Sequence, residues 1–167
     1  MLFSPFRVLF PDAFADIQNN LLYFIIQCIF YIVNIITMQK TKKYDNFCSA
    51  FQNLKDIYEY EEPYGNVEMT GLVGLYEVCF EQSWKAMKEI LENAGFPEGQ
   101  TGSPRQILKT AYQAGLIRDE ELWIAALHAR NNVAHAYNKV IALDIIRETK
   151  KSYYQMFADL KKVVDEE

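Results

Sequence analysis

At 167 residues, half of them apolar and 23% charged, the chain has the composition of one ordinary globular domain, with room for one core. Its formal net charge of -5 excludes a general electrostatic attraction to nucleic acid or to an anionic membrane. Cys28, Cys48 and Cys79 are odd in number and far apart; this excludes the close pairing of a zinc site or a redox CxxC, and they read as reduced, buried thiols.

Residues 1–37 do not match the rest. After Pro11 to Asn20 comes LLYFIIQCIFYIVNIIT, an apolar run interrupted only by Gln27 and Asn34. It is borderline against the roughly 20 apolar residues of a membrane span, and Lys40, Lys42 and Lys43 would hold its following flank in the cytoplasm. A signal peptide fits worse, because Arg7 is the only preceding side-chain cation, the run is too long and no small-residue cleavage site follows. A packed extra helix is a third reading. The bias toward Phe, Ile, Asn, Leu and Tyr is what AT-rich non-coding DNA would encode. The preferred expectation is therefore a start at Met38 and a cytoplasmic helical domain over residues 38–167; a genuine N-terminal segment would instead anchor the chain to a membrane.

Glycine and proline are scarce and concentrate between Glu62 and Pro104, and the rest reads in long periodic segments without strand-like alternation. Tyr44, Phe47, Phe51, Leu54 and Ile57 give Thr41 to Tyr60 the apolar stripe of an amphipathic helix, which Pro63, Tyr64 and Gly65 break. Met69 to Asn93 repeats the pattern through Leu72, Tyr76, Cys79, Phe80, Trp84, Met87 and Ile90 and is the expected central helix. Gly95 to Gly102 reads as a loop. Ser103-Pro104 is a good helix start, serine capping the free amides and proline suiting the first turn, and that helix ends near Gly115. Asp119 can cap the next, with Glu120 and Glu121 where the helix dipole favours anions. A last helix runs from about Ala142 to Val164. These segments predict an all-α, antiparallel four- to five-helix bundle, with no internal repeat or heptad seam. Trp84 and Trp123 belong to its core. Tyr58, Tyr60, Tyr64, Tyr76 and Tyr112 read more simply as core or interface than as a platform for bases.

Between Leu127 and the last helix lies ARNNVAHAYNKV, a polar cluster where a helix ought to bury a face. On a continuous helix, Arg130, Asn131, His135 and Tyr137 would fall within roughly 160 degrees of one another. Such a side combines an acid/base titrating near neutrality, a permanent cation and neutral hydrogen-bonding groups. The set suits phosphodiester chemistry without a metal: histidine moves the proton and arginine stabilises the charge on the phosphoryl oxygens. The sequence has no GxxxxGK, HExxH or GxSxG motif and no cluster spaced for metal, so neither cofactor nor metal is expected. The plainer alternative is a histidine that caps or packs and an arginine that complements the helix dipole; His128 reads as a surface or partly buried histidine.

RNNVAHAY has the R-x4-H-x-Y form of the HEPN motif. With YDNFCSAFQNLKDIYEY, GLVGLYEVCFEQSWKAMKEIL, TGSPRQILKTAYQAGLI and DEELWIAALHARNNVAHAY, the chain from about Lys43 to Lys162 resembles the nucleotidyltransferase substrate-binding proteins that are grouped with HEPN toxins. The resemblance implies a HEPN-like bundle that dimerises and acts as a metal-independent endoribonuclease on RNA, often tRNA. It implies a minimal nucleotidyltransferase antitoxin as partner, in a homodimer or a larger hetero-oligomer. Carried over, Arg130 and His135 would be catalytic, Asn131 supporting, and Tyr137 the acceptor of AMP, which would block RNA and repel its phosphates.

The leading expectation is thus a toxin ribonuclease of a toxin-antitoxin module. Its rival is a non-catalytic subunit that binds substrate for the nucleotidyltransferase. Acidic residues crowd Lys42 to Pro97, whereas from Arg105 to Lys162 basic ones outnumber them, so RNA would meet Arg105, Lys109, Arg130, Lys139, Arg147, Lys150 and Lys151 as a local patch.

Overall fold

The structure is a computed structural model and describes residues 42 to 166. The expectations for residues 1–37, Cys28 included, lie outside the described residues. Helix α1, Lys42–Leu54, tightens into a 3-10 turn over Lys55–Glu59. Helix α2 spans Asn66–Asn93, and α3 is a single turn, Glu98–Thr101. Then follow α4 (Pro104–Gln113) and α5 (Glu120–Asn131), a 3-10 turn at Asn132–His135, α6 (Lys139–Glu148), a π-helical turn at Thr149–Tyr153, and α7 (Tyr154–Glu166). The described residues form no strand, and the expected all-α bundle is what the chain adopts.

Several boundaries are set by local chemistry. The Ser103 hydroxyl accepts from the Gln106 amide at 3.5 Å while the Gln106 side chain accepts from the Ser103 amide at 2.9 Å, a reciprocal capping box with proline next in line. Asp119 Oδ1 accepts from the Leu122 amide at 2.9 Å. At α2 the Glu68 carboxylate reaches back to the Gly65 amide at 2.7 Å, so this helix starts at Asn66, three residues before the expected Met69. The expected loop Gly95–Gly102 contains α3, which lies so close to α2 that a Cβ on Gly99 would sit 2.3 Å from the Glu92 backbone nitrogen. Gly115 ends α4 with φ +78, the left-handed conformation that glycine takes without a Cβ clash.

The core is built on aromatic rings. Phe157 is fully buried and meets Phe47 of α1 at 6.3 Å, Tyr76 of α2 at 6.4 Å and Trp123 of α5 edge-on at 5.6 Å, so one side chain joins α1, α2, α5 and α7. Tyr44 Oη donates to the Lys161 carbonyl and Asp165 Oδ1 at 3.1 and 2.9 Å. Tyr58 Oη donates to the Lys150 carbonyl at 3.0 Å. These contacts fix the first helical segment antiparallel to the last. α2 packs against α1, α3, α4, α5 and α6 and holds the central place foreseen for it.

The last predicted helix is one run, Lys139–Glu166, interrupted by the π turn, where the Thr149 hydroxyl donates to the Ile145 carbonyl at 2.6 Å in the interior. Trp123 is buried as expected, whereas Trp84 is half-buried. Tyr64 and Tyr76 are buried, and Tyr58, Tyr60 and Tyr112 are exposed. Cys79 is buried and Cys48 half-buried, both as free thiols; burial pushes the Cys79 thiol upward.

Candidate functional site

The polar cluster is a turn between helices, and its angular arrangement differs from the one expected of a continuous helix. Helix α5 ends at Asn131 because the chain tightens there: the Asn132 amide points at the carbonyls of His128, Ala129 and Arg130, and a 3-10 turn carries the backbone to His135. At about three residues per turn rather than 3.6, the single side worked out for Arg130 to Tyr137 no longer holds. The Ala136 amide donates to the Val133 carbonyl at 2.9 Å and the Asn138 amide to the His135 carbonyl at 3.0 Å. Asn138 then caps α6, its Oδ1 accepting from the Val140 amide at 2.9 Å. The helix after the cluster therefore begins at Lys139, not Ala142.

Arg130 stands at the base of the turn. Its Nη2 is ion-paired with Glu81 Oε1 of α2, and its Nη1 donates to Asn131 Oδ1 at 3.4 Å. Glu81 also holds Lys85 one turn further along, at 3.1 Å. Nε of Arg130 is buried without a hydrogen-bond partner among the described residues, as is Nε1 of Trp84. Arg130 is fixed from below as well: Tyr76 Oη donates to the Ala126 carbonyl at 2.6 Å, anchoring α5 one turn before the arginine. Burial, with the neighbouring Tyr153, pushes the Tyr76 hydroxyl far above the ordinary tyrosine range.

His135 and Tyr137 project from the turn. Both are exposed, Tyr137 to 89%, and their rings meet edge-on with centroids 6.4 Å apart. Asn131 is exposed and bonded to Arg130. His128 is exposed. The turn thus presents an imidazole and a phenol to solvent while its arginine is engaged by a carboxylate. Sequence reasoning misses Glu81 as a partner: it counts there only as one acidic residue among many, far before Arg130 in the chain. The i, i+4 spacing to Lys85 is the one local signal.

The expected basic patch is partly neutralised. Arg147 Nε and Nη2 donate to the two Glu62 oxygens at 2.7 and 2.6 Å, a bidentate fork that raises Arg147 and lowers Glu62 from their ordinary values. Lys150 donates to the Tyr60 carbonyl and lies over the Tyr64 ring at 5.6 Å. Lys151 pairs with Glu148 at 3.1 Å. Lys139 is exposed at the first turn of α6, and Arg105 and Lys109 are exposed on α4. The acidic stretch before Gly65 therefore covers part of the basic surface read from the second half.

Among the described residues there is no group of three or more His, Cys, Asp and Glu placed to hold a metal, and no helix is long and apolar enough to cross a membrane. A cleft with a mostly apolar floor lies elsewhere, lined by Leu116, Ile117, Leu122, Trp123, Met156, Leu160 and Val163 together with Arg118, Asp119 and Asp159.

An all-α bundle whose polar turn joins its last two long helical runs defines the class. Residues 42–166 match the family described as nucleotidyltransferase substrate binding protein like, and the chain belongs to that family. Among solved structures it is similar to a crystal structure of a protein from Thermus thermophilus, 26% identical, with a TM-score of 0.61 over 71% of this chain and 98% of that one. No curated protein matches.

Proposed function

We propose that this chain is the substrate-binding partner of a nucleotidyltransferase and that the Arg130–Tyr137 turn is the face it offers to a phosphate-bearing ligand. The observation that carries the reading is the ion pair between Arg130 and Glu81. A guanidinium already matched by a carboxylate is poorly prepared to stabilise new charge on a phosphoryl group, which calls for donors aimed in advance at the reacting oxygens. Binding requires only that a ligand can compete for it. His135 and Tyr137, exposed beside each other, add a hydrogen-bonding imidazole and an aromatic face that suit a nucleotide or nucleic-acid end. The family to which the chain belongs supports a nucleotidyltransferase as partner.

A second reading is favoured by the same exposed pair: a metal-independent endoribonuclease toxin of the HEPN and nucleotidyltransferase type. In it His135 is the acid/base, Arg130 leaves Glu81 to meet the phosphate, Asn131 supports them, and Tyr137 receives AMP from the antitoxin. This reading takes a homodimer, RNA as substrate and a cytoplasmic domain over residues 38–167.

One experiment separates the two. The purified chain, shown by mass to lack AMP, and its His135→Ala variant are incubated with total tRNA in EDTA, and each is separately mixed with the nucleotidyltransferase on a sizing column. Substrate binding without catalysis predicts a complex with both proteins and intact tRNA throughout. Cleavage by the parent chain alone would replace that reading with the nuclease.

A further inference from the structure

Glu81 is placed to do more than support Arg130. Its carboxylate lies on the second turn of α2 beyond Leu75, contacts Arg130 through one guanidinium nitrogen, and holds Lys85 with its other oxygen. The contrast with Arg147 is informative. There Nε and Nη2 grip both oxygens of Glu62, the planar fork that arginine forms at its strongest. Arg130 instead leaves Nε buried and unpartnered and Nη1 on a 3.4 Å contact.

A second unpartnered buried donor, Trp84 Nε1, belongs to the residue three positions after Glu81, on the neighbouring turn of the same helix face. Buried donors without a protein partner are uncommon, and each calls for a water, an ion or a ligand to meet it. Here both belong to Arg130 or to the turn of α2 beside its counter-ion. In the Lys85, Glu81 and Arg130 group one carboxylate is shared between two cations, so neither cation has it to itself.

We infer that Glu81 is an internal competitor for the phosphate of the ligand: its carboxylate occupies Arg130 in the free protein, and a phosphate monoester displaces it and takes the guanidinium. This rests on the proposed function, since it assigns the ligand of the same turn. The consequence is a site tuned to weak, reversible capture. A subunit that must hand its substrate to an enzyme gains turnover from such a device and loses affinity.

The test uses AMP without metal as probe, titrated into the full-length chain and followed by NMR shifts of the Arg130 and His135 signals. Glu81→Gln should tighten AMP binding about five-fold, the factor set by an ion pair of this exposure, and Arg130→Gln should abolish it. Glu77→Gln removes an equal charge one turn earlier and should change affinity less than about two-fold, because it makes no direct contact with Arg130 and acts on it only across a longer, solvent-weakened distance. An equal rise in both glutamine variants would reduce the effect to bulk charge and overturn the competitor.

Loss of binding in Arg130→Gln together with unchanged or weaker binding in Glu81→Gln would also overturn it, while leaving the proposed site standing. The same affinity in all the proteins, or none in any, would remove the phosphate site at the turn itself. If Glu81→Gln does not fold, Glu81→Met, uncharged and of similar length, carries the same expectation.

Discussion

Replacing Tyr76 with phenylalanine removes one oxygen and tests how the fold supports its polar turn. The ring contacts should persist, with Tyr153 stacked at 5.5 Å and Phe157 and Phe80 each at 6.4 Å, so no cavity of consequence opens. What disappears is the 2.6 Å hydrogen bond to the Ala126 carbonyl, which is buried. A bond of this kind contributes about 1 kcal/mol net, which for a domain of this size lowers the melting temperature by roughly 2–6 °C.

The pH dependence follows from the same hydroxyl. In the folded chain its ionisation is pushed upward by burial, while in the unfolded chain it ionises near the ordinary tyrosine value of about 10. The folded state therefore keeps a proton that the unfolded state releases, and stability is full below about pH 10 and falls as pH rises above it. Tyr76→Phe should be the less stable protein at pH 7 and should lose less of its stability between about pH 10 and 11. Thermal melts by circular dichroism at both pH values measure this. Amide exchange should meanwhile quicken in residues 126–135, where α5 has lost its anchor. An unchanged melting temperature at pH 7, with alkaline sensitivity equal to the parent's, would refute the claim that this bond holds α5 under the turn.

Two further substitutions test the core and the packing of α3. Phe157→Ala should cost about 3–5 kcal/mol in urea unfolding, because a fully buried ring that touches three other helices leaves a cavity they cannot all close; a loss below about 1 kcal/mol would mean that the junction collapses freely. Gly99→Ala should lower stability by about 1–3 kcal/mol, since its methyl group would meet the Glu92 backbone. An increase would show that α3 moves away without cost.

What can be read in the chain beforehand is what depends on near neighbours. Ser103 and Asp119 announce helix starts because a cap needs only the next three residues, and both caps are present. Periodicity places Phe47, Tyr76 and Phe80 in the core for the same reason. The start of α2 is read too late because its apolar stripe begins only at Met69, although the Glu68 carboxylate, closing on the Gly65 amide, makes Asn66 to Glu68 the first turn of the helix. At the polar cluster the sequence shows which polar residues lie close along the chain but not the geometry they take. A fixed rotation per residue cannot anticipate a backbone that tightens after Asn131. The partners of the charges are the least accessible. Glu81 reaches Arg130 and Glu62 reaches Arg147 across long separations, and composition sees such residues only as an uneven distribution of sign.

The π turn at Thr149–Tyr153 gives the last helical run a reading frame for its side chains. A π turn accommodates one residue more than an α-helix does over the same stretch. Deleting a single residue there should therefore restore a regular helix and leave the flanking faces in step, with Ile145 and Ile146 before it and Phe157 and Leu160 after it still in the core. Deleting a residue from the regular part of α6 would instead turn everything before it by about 100 degrees, and the polar turn with it. The last run thus carries one residue of slack at a fixed place, where its length can change by one without changing the direction in which the polar turn faces.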